Sequence, residues 1–430
     1  MKNLHDIWET RIGRKKGGVT LTVFNILIII SLVGGSTTTT QAAEKGPIKI
    51  GFIAAITGNW AQFGNDMVDG FKMYLNEINY MVAGRKIEFI VEDESSNPAF
   101  AVTKARKLIA HDKVNLIAGV FSAGSAIAVA PICLESKTPL IVTIGTADDI
   151  TQRKRSPYAI RVNWGTSSEF GHVAGDYAYR KLGWRRAAII AMDYNWGHEV
   201  GGGFQRTFEE AGGKVVQRIW TPINTTDYGP YVTSMKRDVD GVLDVVTGAA
   251  TIRLLNTFRM SGHNWKIIGP GPVTDETFLP PMGDDALGVT TVLSYSAVLD
   301  NPENVKFREN VKKFIKRDPT AFQAINYTAA DWVVRGIKAV NGDVEDKDRF
   351  MAALRSVEIA NSLRGPLKMD KYGQLIQNQY IRRVDKVGGQ YQNTIIDTYP
   401  NPTQFWKYDP ETYLKDPVYS RDNPPCRYCE

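Results

Sequence analysis

Three cysteines and five histidines in 430 residues leave little material for metal or thiol chemistry. Cys133 lies in an apolar, helix-like segment and reads as a core residue. Cys426 and Cys429 form a C-x-x-C at the far C-terminus; such a pair can close a local disulfide but cannot make a four-ligand zinc site alone. Without a preceding strand and a following helix, it is also a poor redox motif. The histidines (His5, His111, His172, His198, His263) are scattered. His198-Glu199 opens an H-E-x-x-H, but Gly202 stands where the second histidine is needed. Gly201-Gly202-Gly203 lies inside a helical pattern, and Arg206 occupies the third glycine position of a dinucleotide fingerprint. There is no G-x-x-x-x-G-K-[ST], and Ser122 lacks the preceding glycine of a nucleophile elbow. These absences argue against an enzyme, and no cofactor or metal is expected.

Charge is short as well. The formal net charge is +6, and part of it belongs to the first 43 residues. The 47 basic and 44 acidic residues beyond them leave only +3. With no basic cluster interleaved with aromatics, nucleic acid is excluded as a partner. Long apolar runs are limited to one, Leu21 to Val33, broken by Thr22, Asn25 and Ser31. It is too short to favour a membrane span, which needs roughly 20 apolar residues. A basic segment, Arg11 to Lys16, precedes it and a small polar stretch, Thr37 to Ala43, follows. That order predicts a secretory signal over residues 1–43, cleaved near Ala42 or Ala43, and hence a periplasmic protein. No cysteine near that point offers a lipid anchor.

What the chain does have is alternation. The stretch from Ile48 to Gly64 reads as a buried strand running into a small-residue turn. A helix follows with Phe63, Met67, Phe71, Leu75 and Ile78 on one face. Lys86 to Glu92, Val114 to Val120 and Pro139 to Ile144 are further strands. Between them, Asn97-Pro98 starts one helix with a side-chain cap and a proline at the first helical position, and Gly124 to Glu135 forms another. The pattern then restarts with a helix (Glu169 to Leu182), a strand (Arg186 to Met192), a helix (Gly197 to Ala211) and a strand (Lys214 to Trp220). A helix (Tyr228 to Arg237), strand (Val242 to Thr247), helix (Thr251 to Ser261) and strand (Lys266 to Gly269) complete it. Short Val/Ile-rich strands between helices imply parallel sheets covered on both faces. Two successive units of similar layout imply two lobes. Pro302 to Val357 is mostly helical, Leu363 to Asp397 reads as short strands with glycine turns, and the Pro- and aromatic-rich tail from Tyr399 has no period.

Open α/β sheets bind ligands at the carboxyl ends of their strands. The loops there are Thr57–Gly64, Gly119–Ser125, Ile144–Thr146, Asp193–Gly197, Thr247–Ala250 and Gly269–Asp275. Trp60, Phe63, Phe121, Tyr194 and Trp196 fall in them, and that concentration suggests a cleft wall rather than scattered core.

From Pro47 to Asp397 these residues resemble the type I periplasmic solute-binding proteins of the branched-chain amino acid ABC-transporter class. The features that carry the likeness are I-K-I-G-F with T-G-x-x-A-Q-F-G, Asn76-Glu77-Ile78-Asn79, Glu92-Asp93-x-x-x-Asn97-Pro98, Gly119-Val120-Phe121-Ser122, and Leu363-Arg364-Gly365-Pro366-Leu367 with Asp370 and Gly373. The resemblance implies an α/β, two-lobed fold with each lobe a mostly parallel sheet flanked by helices. It also implies a hinge of three crossings near Val162, Ser296 and Leu363. The expected lobes are residues 44–162 with 296–363 and residues 163–295 with 364–398, and 399–430 form a tail. In the family a ligand carboxylate meets backbone N–H groups and a hydroxyl; Ala123 and Thr146 match those positions, and the aromatic clamps fall on Phe63 and Trp196. The acid that receives an amino acid's ammonium falls on Gly271, and a nearby aromatic falls on Ala250.

An ammonium buried without a partner costs several kcal/mol, so an amino acid is disfavoured unless Asp275 or Glu276 reaches in. The small Gly271 and Ala250 imply a roomier pocket. The expected site is therefore Trp60, Phe63, Phe121, Ser122, Ala123, Ile144, Thr146, Trp196, Ala250 and Gly271. Its expected ligand is a small organic acid with an aromatic or apolar body, passed by a monomeric protein to an ABC permease. Branched-chain amino acids, amides or urea, and a sensor role with a signalling partner, are the alternatives.

Overall fold

The computed structural model describes residues 45–429, so the leader expected over residues 1–43 lies outside the described residues. Strand β1 (Ile48–Ala54) runs into helix α1 (Ala61–Glu77). Then come β2 (Met81–Val82), β3 (Arg85–Asp93), α2 (Pro98–Ala110), β4 (Leu116–Gly119), α3 (Ala123–Glu135), β5 (Leu140–Val142) and β6 (Ala159–Arg161). The sheet order is β2-β3-β1-β4-β5-β6, parallel except where β2 folds back on β3. The expected α1 face is the packed one: Phe63, Met67, Phe71 and Leu75 are all buried. Asn97 caps α2 by accepting the Ala99 amide at 2.9 Å, with Pro98 at the first helical position.

The second unit begins with α4 (Ser167–Arg180), followed by β7 (Arg186–Met192), α5 (Asn195–Glu210), β8 (Lys214–Thr221) and α6 (Gly229–Thr233). It continues with β9 (Gly241–Val245), α7 (Ala249–Met260), β10 (Lys266–Pro270), α8 (Leu279–Met282) and β11 (Thr290–Leu293). The chain then returns as α9 (Pro302–Phe314), α10 (Ala321–Ala339) and α11 (Lys347–Arg355), with α10 packed on α1 of the first unit. A small antiparallel sheet of β12 (Glu358–Ile359), β13 (Leu367–Met369) and β14 (Leu375–Ile376) precedes the hairpin β15 (Gln379–Val387) and β16 (Gln390–Tyr399). The second sheet is ordered β16-β15-β11-β10-β9-β7-β8, parallel from β8 to β11 and antiparallel over the hairpin. The molecule is thus a two-lobed α/β fold.

Three local expectations differ from what forms. Strands β6 and β11 are too short to carry a pattern of their own; they exist because β5 and β10 offer them open edges. The run Leu363 to Asp397 is dominated by one long hairpin, closed by Gly388 and Gly389 at φ 59° and 82°. Helix α6 stops at Thr233 rather than Arg237. The Gln217 amide on β8 donates to Ser234 O at 2.8 Å and accepts from Lys236 N at 2.7 Å, drawing the chain out of the helix. The Gly201–Gly203 run lies inside α5, as expected, and serves packing: a Cβ on Gly203 would strike the Ser168 backbone, and one on Gly202 the Tyr419 ring. Helices α4 and α5 approach that closely along their length.

The C-terminal segment, with the short α12 (Pro410–Tyr413), covers the outer faces of α4 and α5. Phe405, Tyr413 and Tyr419 are buried there, and Cys426 is bonded to Cys429. Among the described residues no helix is long and apolar enough to cross a membrane.

Candidate functional site

In the first sheet β1 has β3 on one side and β4 on the other; in the second, β7 lies between β8 and β9 in the same way. Chain order therefore reverses at the carboxyl ends of β1 and β7, which is where an open α/β sheet leaves a crevice. The turn after β1 delivers Trp60 and Phe63, the turn after β4 delivers Phe121, Ser122 and Ala123, and β5 leads to Ile144 and Thr146. From the other sheet come Tyr194 and Trp196 after β7, Thr247 after β9 and Pro272 after β10. All of these line one cavity.

The walls are largely aromatic. The Phe63 and Phe322 rings stack at 4.2 Å and 17°, and Phe121 lies nearly parallel to both at 6.2 and 6.0 Å. Trp60 spans the crevice, 5.3 Å from Phe121 on its own side and 6.2 Å from Tyr194 on the other, and Tyr194 in turn meets Trp196 at 6.0 Å. The space left is about 40 Å³, enough for a few waters between the rings. A cavity of about 530 Å³ lies between Leu255 and Val289. It opens beside Lys266 and Val289, where β10 and β11 begin, at the opposite end of the strands from the switch points; we therefore place the candidate site in the smaller one.

Polar groups in the crevice are few and neutral. Ser122 caps α3: its Oγ accepts the Ser125 amide at 3.0 Å, and its carbonyl takes the Ala126 amide at 3.0 Å. The amides of Ala123 and Gly124 have no protein acceptor among the described residues. They point along the axis that favours an anion at a helix start. Thr146 is buried, and its Oγ1 accepts from Ser167 Oγ at 2.9 Å, which leaves the Thr146 hydroxyl proton for a ligand. Burial and the nearby Glu199 push the Tyr194 phenol well above its ordinary range, so it is present as a hydrogen-bond donor. Among the described residues no Asp, Glu, Lys, Arg or His side chain lines the cavity.

Eight of the ten residues expected to bind ligand meet here: Trp60, Phe63, Phe121, Ser122, Ala123, Ile144, Thr146 and Trp196. Ala250 and Gly271 are not in the lining. A Cβ on Gly271 would meet the Leu293 side chain at 2.6 Å, so this glycine reflects packing against β11 and does not widen the crevice. The second-lobe position that does face the clamps is Gly248, at φ 69°, where a Cβ would lie 3.7 Å from Phe63 and 3.9 Å from Trp60. Asp275 and Glu276 do not reach in either. Asp275 accepts the Thr277 amide at 3.1 Å, and Glu276 accepts from Asn393 at 2.9 Å and pairs with Arg382 at 3.4 Å.

Trp164, Phe170 and Phe322 complete the wall and were not expected from the sequence. Trp164 sits in the crossing between β6 and α4, edge-on to Phe322 at 4.8 Å. Trp164 follows β6, a strand with no sequence pattern of its own, and Phe322 lies in the first turn of α10 rather than after a strand. The one available hint was a tryptophan and an aromatic next to helix caps, at Thr166 and Thr320.

Comparison with known proteins agrees with this fold. Residues 47–390 match the family described as periplasmic binding protein. Leu/Ile/Val-binding protein homolog 6 of Brucella melitensis is 29% identical over 372 residues, covering 84% of this chain and 93% of its own. A solute-binding protein of an ABC transporter from Rhodopseudomonas palustris BisB5, solved with 3,4-dihydroxybenzoic acid, superposes with a TM-score of 0.79 at 32% identity, covering 83% of this chain and 98% of its own. A second R. palustris solute-binding protein, solved with benzoate, gives 0.77 at 27% identity, with the same coverage.

Proposed function

The chain belongs to the periplasmic binding protein family, and on that premise we propose that it captures a small aromatic carboxylate between its lobes for an ABC importer. One observation carries the ligand class: a crevice walled by aromatic rings offers free helix-start amides and a hydroxyl, but no charged side chain. A carboxylate finds donors at Ala123, Gly124 and Thr146, and its ring finds Trp60, Phe63 and Trp196. An amino acid's ammonium finds no counter-charge, at a cost of several kcal/mol. The benzoate and dihydroxybenzoate carried by two similar proteins support the same reading.

Capture works by closure. Residues of the first lobe hold the anionic end, while Tyr194, Trp196 and Thr247 approach from the second. Our lobe limits are 44–162 with 296–363 and 163–295 with 364–398; β7 to β11 and the β15–β16 hairpin share the second sheet, whereas β13 and β14 form a sheet with β12 and bridge to β6 through Arg161 and Gln374. The closed form is the one a permease reads, and the protein acts as an exported monomer after loss of residues 1–43.

The test is a thermal-shift screen of ligand-stripped protein against benzoate, hydroxybenzoates, leucine, isoleucine, valine, urea and short amides. A ligand at a hundred times its Kd stabilises the fold by about 2.7 kcal/mol. Shifts with benzoates alone support the proposal; a shift with leucine and none with benzoate overturns it. Amino acid binding is the second reading, favoured by the Leu/Ile/Val-binding name of the Brucella relative.

A further inference from the structure

Behind the anion end of the crevice lies a carboxyl group that the capture mechanism leaves unused. Glu94 directly follows β3 and is wholly buried. Its backbone amide is tied to Ala54 O at the end of β1, at 3.0 Å. Its side-chain Oε1 accepts the amides of Phe121 and Ser122 at 3.2 and 3.1 Å. These are the two residues that precede Ala123 at the start of α3, and both line the crevice. Glu94 therefore shapes the turn that presents the ligand amides. Its second oxygen, Oε2, is buried without a hydrogen-bond partner among the described residues.

We infer that Glu94 takes up a proton when a carboxylate binds at the start of α3, so that the site captures the anion and a proton together. This inference rests on the anionic-ligand reading above.

The charges around Glu94 favour the neutral acid. Among the described residues no cation pairs with it. The lysines that α2 turns towards this edge, Lys104 and Lys107, are both engaged by Glu92 at 2.8 and 2.5 Å. Asp93, next along the strand, is a second negative charge, held ionised by Thr57 and Ser95. The carboxyl ends of β1 and β4 and the first two turns of α3 carry no titratable side chain; α3 presents only the Ser125 hydroxyl. Burial foremost, with a smaller contribution from Asp93, raises the Glu94 carboxyl to about 7.

A ligand carboxylate on the Ala123 and Gly124 amides adds a further negative charge across the Phe121–Ser122 turn, inside a poorly polarisable interior. Like charges there disfavour each other's ionised forms, so ligand binding raises the affinity of Glu94 for its proton. By linkage, anion affinity is flat below about pH 7. It weakens as pH rises above that, by at most about tenfold per pH unit for one proton.

The test is calorimetric titration with benzoate, whose carboxyl stays ionised throughout. It is run between about pH 6 and pH 9 in two buffers of different ionisation heat. Wild type is expected to lose about tenfold in affinity over this range and to show a buffer-dependent heat that reports proton uptake. Glu94→Gln, of the same shape and always neutral, is expected to show neither. A flat wild-type profile with no buffer dependence overturns the inference while leaving the ligand reading intact. So does a Glu94→Gln protein that keeps the wild-type slope. Failure of benzoate and hydroxybenzoates to bind at any pH removes the ligand reading, and this inference with it. The wild-type heats stand alone should the variant fold poorly.

Discussion

The amide of Asp148 donates to Oε2 of Glu199 at 3.2 Å, joining the loop that carries Thr146 to the helix that carries Trp196. Both acids are buried, and burial raises both carboxyls, with the Asp148 charge adding to the rise at Glu199. Arg161 lies beside them, bonded to Ala147 O and Thr151 Oγ1, and tempers the Asp148 shift. The contact thus ties the hydroxyl of one lobe to the aromatic clamp of the other through an acid that prefers to be neutral.

Stability is therefore expected to fall as pH rises. Glu169 and Asp244 are also pushed up to about 8, in each case chiefly by burial. An acid whose folded value lies above its unfolded one binds its proton more tightly when folded. Its contribution is complete below about pH 4, the unfolded value, and is lost as pH climbs to the folded value, by about 1.4 kcal/mol per pH unit. The melting temperature should decline from about pH 5 to pH 8. Glu199→Gln, neutral at every pH, should flatten that decline. A wild-type melting temperature that rises over this range would refute the assignment.

The two aromatic clamps should separate stability from binding. Phe63 is 1% exposed and stacked on Phe322, so Phe63→Ala should cost about 3–5 kcal/mol in denaturant unfolding. Trp196 lines the crevice from the start of α5. Trp196→Ala should weaken benzoate binding by about tenfold or more while costing less stability than Phe63→Ala.

Restoring an acid at Gly271 should not create an amino acid receptor. The new side chain would run into Leu293, so Gly271→Asp is expected to lower the melting temperature and to give no thermal shift with leucine. Gly248→Val has the opposite placement: it strains a backbone at φ 69° and ψ −148°, a region essentially reserved for glycine, at about 1–3 kcal/mol, and pushes towards Phe63 and Trp60. Its expected readout is weaker benzoate binding together with a lower melting temperature.

The tail should be integral to the fold. Arg153 donates to Tyr413 O and Asp416 O at 3.0 and 2.8 Å, while Tyr419 bonds His172 at 3.0 Å and lies against Gly202. One segment thus binds the loop after Asp148 and the helices α4 and α5. Tyr419→Ala should cost about 3–4 kcal/mol and speed proteolysis of residues 403–429. Unchanged melting and proteolysis would show the tail to be dispensable.

Much of this was legible in the chain itself. Alternating apolar periods, the Asn97-Pro98 cap and the turns after Ala54, Gly119 and Met192 are local signals. They sufficed for most of the order of elements, for the two units and for the strand-end loops in which eight of the crevice residues fall; the family resemblance singled out Ala123 and Thr146. The meaning of individual small residues was not local. Gly271 and Gly248 look alike in sequence, yet one is set by Leu293 and the other by two aromatic rings across the cleft. Trp164 and Phe322 join the same wall from positions far apart in the chain, because the return of α10 onto α1 brings them together. Nothing in the local sequence sets the acids Glu94, Asp148 and Glu199 apart from other carboxylates. Only burial, and the backbone amides that tertiary packing sets against them, decides that they are better neutral. Periodicity determines which residues turn inward; what they meet there depends on contacts between segments that no local pattern encodes.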